Sequence, residues 1–225
     1  MPVTPIARGS TLATGINVFT LPAERQQALI ETLTAINREI LTHKYPMIVS
    51  ANFHRALDAS IIINYNQYTD RAQGQFLRTR ANVAPLMKRT HDLSDKHEIR
   101  WYETADVVTA LGSQGRIDIR DDRSNVGVMG IFTVEPEKQG ELLARLQRYG
   151  EELKATSTPG FSGIATHRGY QPAHVASYEE WASADAYRQA LADKRIADLL
   201  QQIRAAAQTT ELHPYEVVSV TRFHE

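Results

Sequence analysis

The chain has 225 residues, the length of one large domain or two small ones. Its 25 lysine and arginine residues balance 26 aspartate and glutamate residues, so the formal net charge of −1 gives no overall reason to bind nucleic acid or an acidic membrane. The absence of cysteine excludes disulfides, thiolate nucleophiles and iron–sulfur clusters, and the scattered histidines predict no metal site.

The start of the chain lacks the pattern of a targeting signal. Arg8 is not followed by an apolar run, as it would be in a secretory signal. No stretch approaches the ~20 apolar residues that are needed to span a bilayer. We therefore expect a cytoplasmic protein whose partners include neither a membrane nor a nucleic acid.

An internal repeat relates the two halves of the chain at an offset of 113 positions. The matches include Phe19-Thr20 with Phe132-Thr133, His54-Arg55 with His167-Arg168, Tyr65 with Tyr178, and Tyr102-Glu103 with Tyr215-Glu216. Paired dipeptides at one offset, without gaps, are not expected by chance. The offset predicts an N-terminal segment at residues 1–15, a first repeat at 16–108, a linker at 109–128 and a second repeat at 129–225.

Each repeat predicts the same elements in the same order. The first repeat has a strand at 15–20, an amphipathic helix through Leu29, Leu33, Ile36 and Ile40, strands at 47–54 and 60–68, a helix at 71–87 and a strand at 99–108. The second repeat has a helix through Leu142, Leu146, Tyr149 and Leu153, strands at 161–167 and 174–181, a helix at 184–207 and a strand at 215–222.

The order β-α-β-β-α-β is that of the ferredoxin-like unit. Its helices cover one face of an antiparallel sheet, and the other face must be covered by something else. A second copy in the same chain supplies that cover. The predicted fold class is therefore α+β, with tandem ferredoxin-like repeats that form an intramolecular dimeric α/β barrel.

The third strand of the first repeat carries an unusual row of side chains. Alternation places Ile62, Asn64, Asn66 and Tyr68 on one face and Ile61, Ile63, Tyr65 and Gln67 on the other; in the second repeat Ser177, Glu179 and Trp181 take the face of Asn64 and Tyr68. Amides beside a large aromatic ring suit a site that holds a planar ligand and donates hydrogen bonds to its oxygens. An aromatic strand packed under its helix, with a satisfied amide, gives the same pattern.

Several segments resemble the antibiotic biosynthesis monooxygenase family. In the first repeat these are Phe-Thr-Leu-Pro at 19–22, Pro46 before a strand that ends in His54-Arg55, and Asn-Tyr-Asn-Gln-Tyr-Thr-Asp at 64–70; in the second they are Pro-Gly-Phe at 159–161, His167 and the segment 178–187. The third strand of the family commonly reads Asn-Tyr-x-Gln-Trp. The chain is most similar to two-repeat forms and to the quinone-forming and ring-opening oxygenases of aromatic polyketide biosynthesis.

The resemblance implies a monooxygenase that oxidises a polycyclic aromatic polyketide intermediate with O2, from phenol or anthrone to quinone or by hydroxylation. A deprotonated substrate of this kind is electron-rich enough to reduce oxygen without a metal or a bound cofactor. One alternative is oxidative ring opening with reduced FAD or FMN from a partner flavin reductase. Others are a non-catalytic binding or scaffold protein, or a cyclase, on the same barrel. The sequence does not decide whether two such chains form a homodimer.

The resemblance also implies catalytic residues, which are divided between the repeats. Asn64 matches the family's asparagine, which would donate to an oxyanion. Trp181 and Tyr187 match the tryptophan that stacks on the rings and the helix tyrosine that moves a proton. In the first repeat Tyr68 and Gly74 stand where that tryptophan and tyrosine are expected. Neither repeat therefore has the family's full set of catalytic residues. The first repeat is favoured as the one that holds the substrate pocket.

Further candidates surround this motif. The candidate substrate-binding residues are Asn66, Tyr65, His54, Ser177 and Trp101. His54 and His167 recur in both repeats, which favours a role in the shared fold over that of a base. Arg78, Arg80, Lys88 and Arg89 form a basic cluster beside the first site, for which surface solvation and steering of an anionic phenolate are the two interpretations.

Overall fold

A computed structural model describes residues 2–111, 115–121 and 125–224 of the chain. The elements up to the middle of the chain are β1 (Thr4–Ala7), β2 (Ala13–Thr20), α1 (Ala23–His43), β3 (Ile48–Ala56), β4 (Ile61–Tyr68), α2 (Arg71–Leu77), α3 (Ala84–Leu93), β5 (Lys96–Thr109) and β6 (Arg116–Ile119). They are followed by β7 (Val126–Thr133), a short 3-10 turn (Pro136–Lys138), α4 (Gln139–Ala155), β8 (Phe161–Gly169), β9 (His174–Trp181), α5 (Ala184–Ala190), α6 (Lys194–Ala206) and β10 (Thr209–Arg222).

Eight of these strands close into one antiparallel barrel in the order β10-β3-β4-β2-β5-β8-β9-β7. Each repeat contributes four strands in the ferredoxin-like order. The last strand of each repeat pairs with the second strand of the other, β5 with β8 and β10 with β3. This closure leaves no free edge in the barrel and confirms the predicted fold class.

The duplication extends to irregularities in strand pairing. The β3–β4 register shifts between Ile48 and Ser50, and the β8–β9 register shifts between Phe161 and Gly163, at the offset of the repeat. The β5–β8 shift between Thr104 and Asp106 has its counterpart in the β10–β3 shift between Val217 and Ser219. Bulges bend and twist a strand locally. The two halves therefore share their local bends as well as their strand order.

The second helix predicted in each repeat is broken in two. Residues 71–87 were predicted as one helix, but α2 ends at Leu77 and α3 begins at Ala84, with Pro85 in its first turn. In the second repeat Asp193 caps α6 by accepting hydrogen bonds from the backbone N–H groups of Arg195 and Ile196. Proline and capping residues favour helix starts, and here they start new helices within the predicted spans.

Strands β1 and β6 form a ribbon that the sequence patterns did not predict. They lie in the regions predicted as the N-terminal segment and the linker, and they pair antiparallel from Thr4 opposite Ile119. Their buried side chains Ile6 and Ile117 belong to the apolar core inside the barrel. The ribbon therefore closes one end of the barrel. Linker residues 112–114 and 122–124 lie outside the described residues.

Two buried histidines join the repeats inside the barrel. His54 Nδ1 lies 3.2 Å from the carbonyl oxygen of Asn52 and its Nε2 lies 3.3 Å from Tyr178 Oη. The related pair places Tyr65 Oη 3.4 Å from His167 Nε2. Burial lowers the pKa of both histidines to about 4, so both are neutral at pH 7. Each then accepts a hydrogen bond from a tyrosine of the other repeat.

Candidate active site

A cleft lies between the sheet of the first repeat and its covering helices. Its internal free volume is about 20 Å³, and about 430 Å³ of empty space is counted when the open solvent at its mouth is included. The apolar part of its wall includes Phe19, Leu33, Ile36, Ile40, Ile48 and Met87, and the polar part consists of Asn17, Asn37, Asn64, Asn66, Tyr68 and Arg78. An apolar slot with a few convergent polar groups is the usual form of a small-molecule site.

Two asparagines on the floor of the cleft have unused hydrogen-bonding capacity. Asn64 and Asn66 are 8% and 4% exposed, and the Oδ1 atom of each has no hydrogen-bond partner among the described residues. Asn66 Nδ2 donates to Tyr68 Oη over 3.2 Å. An unpaired buried polar group costs about 1–3 kcal/mol. A ligand that hydrogen-bonds to these amides recovers that cost.

Asn17 is one of two further asparagines in the cleft, the other being Asn37, that were not predicted from the sequence. Asn17 lies on β2 opposite Asn64 on β4. His97 Nε2 lies 3.2 Å from Asn17 Oδ1, and the His97 ring stacks on Phe19 with centroids 4.3 Å apart. Burial, helped by the charges of Arg78 and His91, lowers the pKa of His97 to about 4. The neutral ring can therefore donate its N–H to Asn17 and fix that amide.

Tyr68, which lines the cleft, packs against Trp101, which does not. Their ring centroids lie 5.0 Å apart. A Cβ atom added to Gly74 would lie 2.6 Å from Trp101 Cη2 and 2.8 Å from Tyr68 Cδ1, so only glycine fits under the pair. Burial raises the pKa of Tyr68 to about 12. Its phenol therefore keeps its proton at neutral pH and can donate it in a hydrogen bond.

Arg78 brings a positive charge to the cleft. It follows the last residue of α2 and is half-buried. No carboxylate in the described part of the chain pairs with it. Of the other cluster members, Arg80 lies over the ring of Phe76 at 4.3 Å, and Lys88 pairs with Asp92 at 2.7 Å.

The corresponding region of the second repeat is filled with side chains. Tyr149 stands at the position of Ile36, Trp181 at that of Tyr68, and Tyr187 at that of Gly74. All three aromatic residues are buried, and the rings of Trp181 and Tyr187 lie 5.4 Å apart. Both Trp181 Nε1 and Tyr149 Oη donate to Glu179 Oε2, over 2.9 Å and 3.4 Å. We call this set of four residues, Tyr149, Glu179, Trp181 and Tyr187, the aromatic plug.

The predicted site residues therefore fall into three places. Asn64, Asn66 and Tyr68 line the first cleft, and Trp101 packs against Tyr68 without lining it; Ser177, Trp181 and Tyr187 lie in or beside the aromatic plug; His54 and Tyr65 lie inside the barrel. The last two point through the opposite face of the sheet, because neighbouring residues of a strand alternate. They do not line the cleft, and neither Trp181 nor Tyr187 shares a site with Asn64.

Glu179 makes the stability of the aromatic plug sensitive to pH. Burial raises the pKa of its carboxyl from 4.5 to about 7, against the opposing effect of its two hydrogen bonds. Between these pH values the unfolded chain releases a proton that the folded chain keeps, so stability falls as the pH rises. Glu179→Gln, which mimics the protonated form, is expected to raise the free energy of unfolding by about 2 kcal/mol at pH 8 and by little at pH 4.5.

Urea unfolding at the two pH values measures this difference. Glu137→Gln, at an exposed position in the short turn before α4, serves as the control and is expected to change stability little at either pH. A gain from Glu179→Gln that is the same at both pH values would contradict the assignment of the effect to this carboxyl.

Comparisons with known proteins bear on the family and the fold of the chain. Residues 125–202 match the antibiotic biosynthesis monooxygenase family. Over 80 residues, 36% of this chain and 70% of the relative, the sequence is 29% identical to tetracenomycin-F1 monooxygenase of Streptomyces glaucescens. The similarity to this family thus covers most of the second repeat.

Solved structures extend the fold beyond that segment. An anthrone oxidase-like protein superimposes with a TM-score of 0.85 at 22% identity, over 99% of this chain and 98% of its own. A protein from Fusobacterium nucleatum, assigned as a monooxygenase, has a TM-score of 0.67 at 9% identity, with 95% of both chains covered. At these identities the likeness establishes the two-repeat barrel over the whole chain.

No three histidine, aspartate or glutamate side chains in residues 2–111, 115–121 and 125–224 lie close enough to hold one metal ion. No helix in those ranges is long and apolar enough to cross a membrane.

Proposed function

We propose that the protein is an oxygenase that oxidises a polycyclic aromatic polyketide intermediate with O2 in the cleft of the first repeat. The observation that carries this proposal is the pair of buried Oδ1 atoms of Asn64 and Asn66, which have no hydrogen-bond partner among the described residues, on the floor of an apolar slot. The family match in the second repeat and the names of the similar proteins support the same chemistry.

The proposed reaction needs no cofactor in the protein. The deprotonated ring system transfers one electron to O2, and the resulting carbon radical and superoxide combine to a peroxide on the ring carbon. Loss of water then gives the carbonyl, so that a CH2 group and O2 become C=O and H2O. The substrate carbon is oxidised, and one oxygen atom of O2 is reduced to water.

The cleft residues supply three physical effects to this sequence. An amide N–H of Asn64, available after a half-turn of its side chain, donates to the oxyanion of the deprotonated substrate. The protonated phenol of Tyr68 lies on the same wall and can donate to the peroxide. The apolar side chains exclude water, which strengthens both interactions.

Oxygen uptake tests the proposal and separates it from its alternatives. The protein is mixed with an anthrone or a naphthol in an oxygen electrode, with and without reduced FAD or FMN, and the products are identified by mass spectrometry. Uptake without flavin is expected. Uptake only with flavin would indicate the ring-opening or hydroxylating alternative with a partner reductase, and no uptake in either case would favour a binding protein or a cyclase.

A further inference from the structure

Arg78 is a half-buried cation without a counter-ion among the described residues. Its guanidinium lines the cleft, and no ion pair or side-chain hydrogen bond joins it to another described residue. The charged or titratable groups that it influences are Tyr68 and His97, neither of which is anionic at neutral pH. A partly buried charge without a partner is unfavourable. Arginine keeps its proton at neutral pH, so an anion is the partner that would stabilise it.

The charge is specific to this cleft. The residue at the matching position of the second repeat is Leu191, which packs against the apolar core around the aromatic plug. Arg80, two residues further on, is held over the rings of Phe76 and Tyr45. Lys88 is paired with Asp92 on the surface of α3. Of these basic residues, Arg78 alone lines the cleft, so its position is not explained by general surface solvation.

The rest of the cleft defines what kind of anion would fit. Ile36, Ile40 and Met87 offer apolar surface to a flat ring, and the Oδ1 atoms of Asn64 and Asn66 can accept hydrogen bonds from ring hydroxyl groups. A guanidinium binds an ionised oxygen group through paired N–H donors. We propose that Arg78 binds the ionised oxygen group of an aromatic anion, either a ring carboxylate or a phenolate. This deepens the proposed function, since it concerns the ligand of the same cleft.

Calorimetric titration with small aromatic probes tests the charge requirement. The wild-type protein is titrated with 2-naphthoate and with its neutral methyl ester. We expect 2-naphthoate to bind at least about tenfold more tightly than the ester. A further arm uses 2-naphthol below and above the pH at which it ionises, and binding only of the ionised form together with no binding of 2-naphthoate would identify phenolate as the anion. Equal affinity for the acid and its ester, or no binding of either anion, would overturn the proposal.

Variants assign the effect to Arg78. Arg78→Gln and Arg78→Leu are expected to weaken binding of the anionic probe by about tenfold or more, and Arg78→Lys by less, because a point charge remains. Lys88→Gln removes one exposed positive charge nearby and is expected to leave binding unchanged. Thermal unfolding of each variant confirms that it is folded. Unchanged binding by a folded Arg78→Gln protein would overturn the proposal.

The two proposals can fail separately. Anion binding that depends on Arg78, without oxygen uptake, would retain the ligand assignment and reject the oxygenase. Oxygen uptake that is unchanged in Arg78→Gln, together with probe binding that does not depend on charge, would retain the oxygenase and reject the ligand assignment.

Discussion

Replacing Asn64 with alanine is expected to lower the rate of oxygen uptake by at least about tenfold, since removal of one hydrogen-bond donor to an oxyanion typically costs about a hundredfold to a thousandfold. The side-chain oxygen of Asn64 has no partner among the described residues, so the truncation removes few protein contacts. The free energy of unfolding should therefore change by no more than about 1 kcal/mol. Initial rates in an oxygen electrode and urea unfolding measure the two quantities.

Ser177 provides the matched control for this change. It occupies the position of Asn64 in the second repeat, and its buried hydroxyl also lacks a hydrogen-bond partner among the described residues. Ser177→Ala is expected to leave the rate unchanged, since it lies beside the aromatic plug. A full rate in Asn64→Ala would remove Asn64 from the mechanism, and a loss in Ser177→Ala would move the chemistry to the second repeat.

Placing a tyrosine in the first cleft, at the position that Tyr149 of the aromatic plug occupies in the second repeat, should abolish ligand binding and oxygen uptake. Ile36 lines the cleft, and Tyr149 occupies the same position in the second repeat. In Ile36→Tyr the new phenol should fill the slot and can donate to the unpaired Oδ1 atom of Asn66, as Tyr149 donates to Glu179. We expect 2-naphthoate binding and oxygen uptake to fall by about a hundredfold or more, because a filled slot loses the burial of the ring.

The matched change at the same position keeps the slot open. Ile36→Val shortens the side chain and should retain both binding and oxygen uptake, at a cost of about 1 kcal/mol in stability. Circular dichroism and thermal unfolding show whether Ile36→Tyr is folded, since an added ring in a packed site costs about 1–3 kcal/mol. Binding by a folded Ile36→Tyr protein at the wild-type level would mean that the ligand site lies elsewhere.

The fold could be predicted because the same pattern of strands and helices occurs in both repeats. One offset fixed the repeats, and strand alternation fixed the face of Asn64, Asn66 and Tyr68. The same alternation would have placed Asn17 in the cleft, since it pairs with Asn64. The ribbon of β1 and β6 escaped prediction because two four-residue strands far apart in sequence give no periodic signal.

The asymmetry of the two sites could be predicted only in part. The sequence shows that Trp181 and Tyr187 lack a partner asparagine in their own repeat. It does not show that Tyr149, on a helix distant in sequence, closes the site over them, because that depends on tertiary packing. The direction of Arg78 is likewise set by where α2 ends, and short helices have the least certain ends.

The covalent connection of the two half-barrels has an evolutionary consequence. In a symmetric homodimer every substitution appears in both lobes, so a change that improves one pocket or sacrifices it acts on both at once. Joining the copies releases the lobes from that constraint. The second repeat can then fill its binding space with side chains that pack tightly, while the first repeat keeps an open cleft and acquires the charge of Arg78.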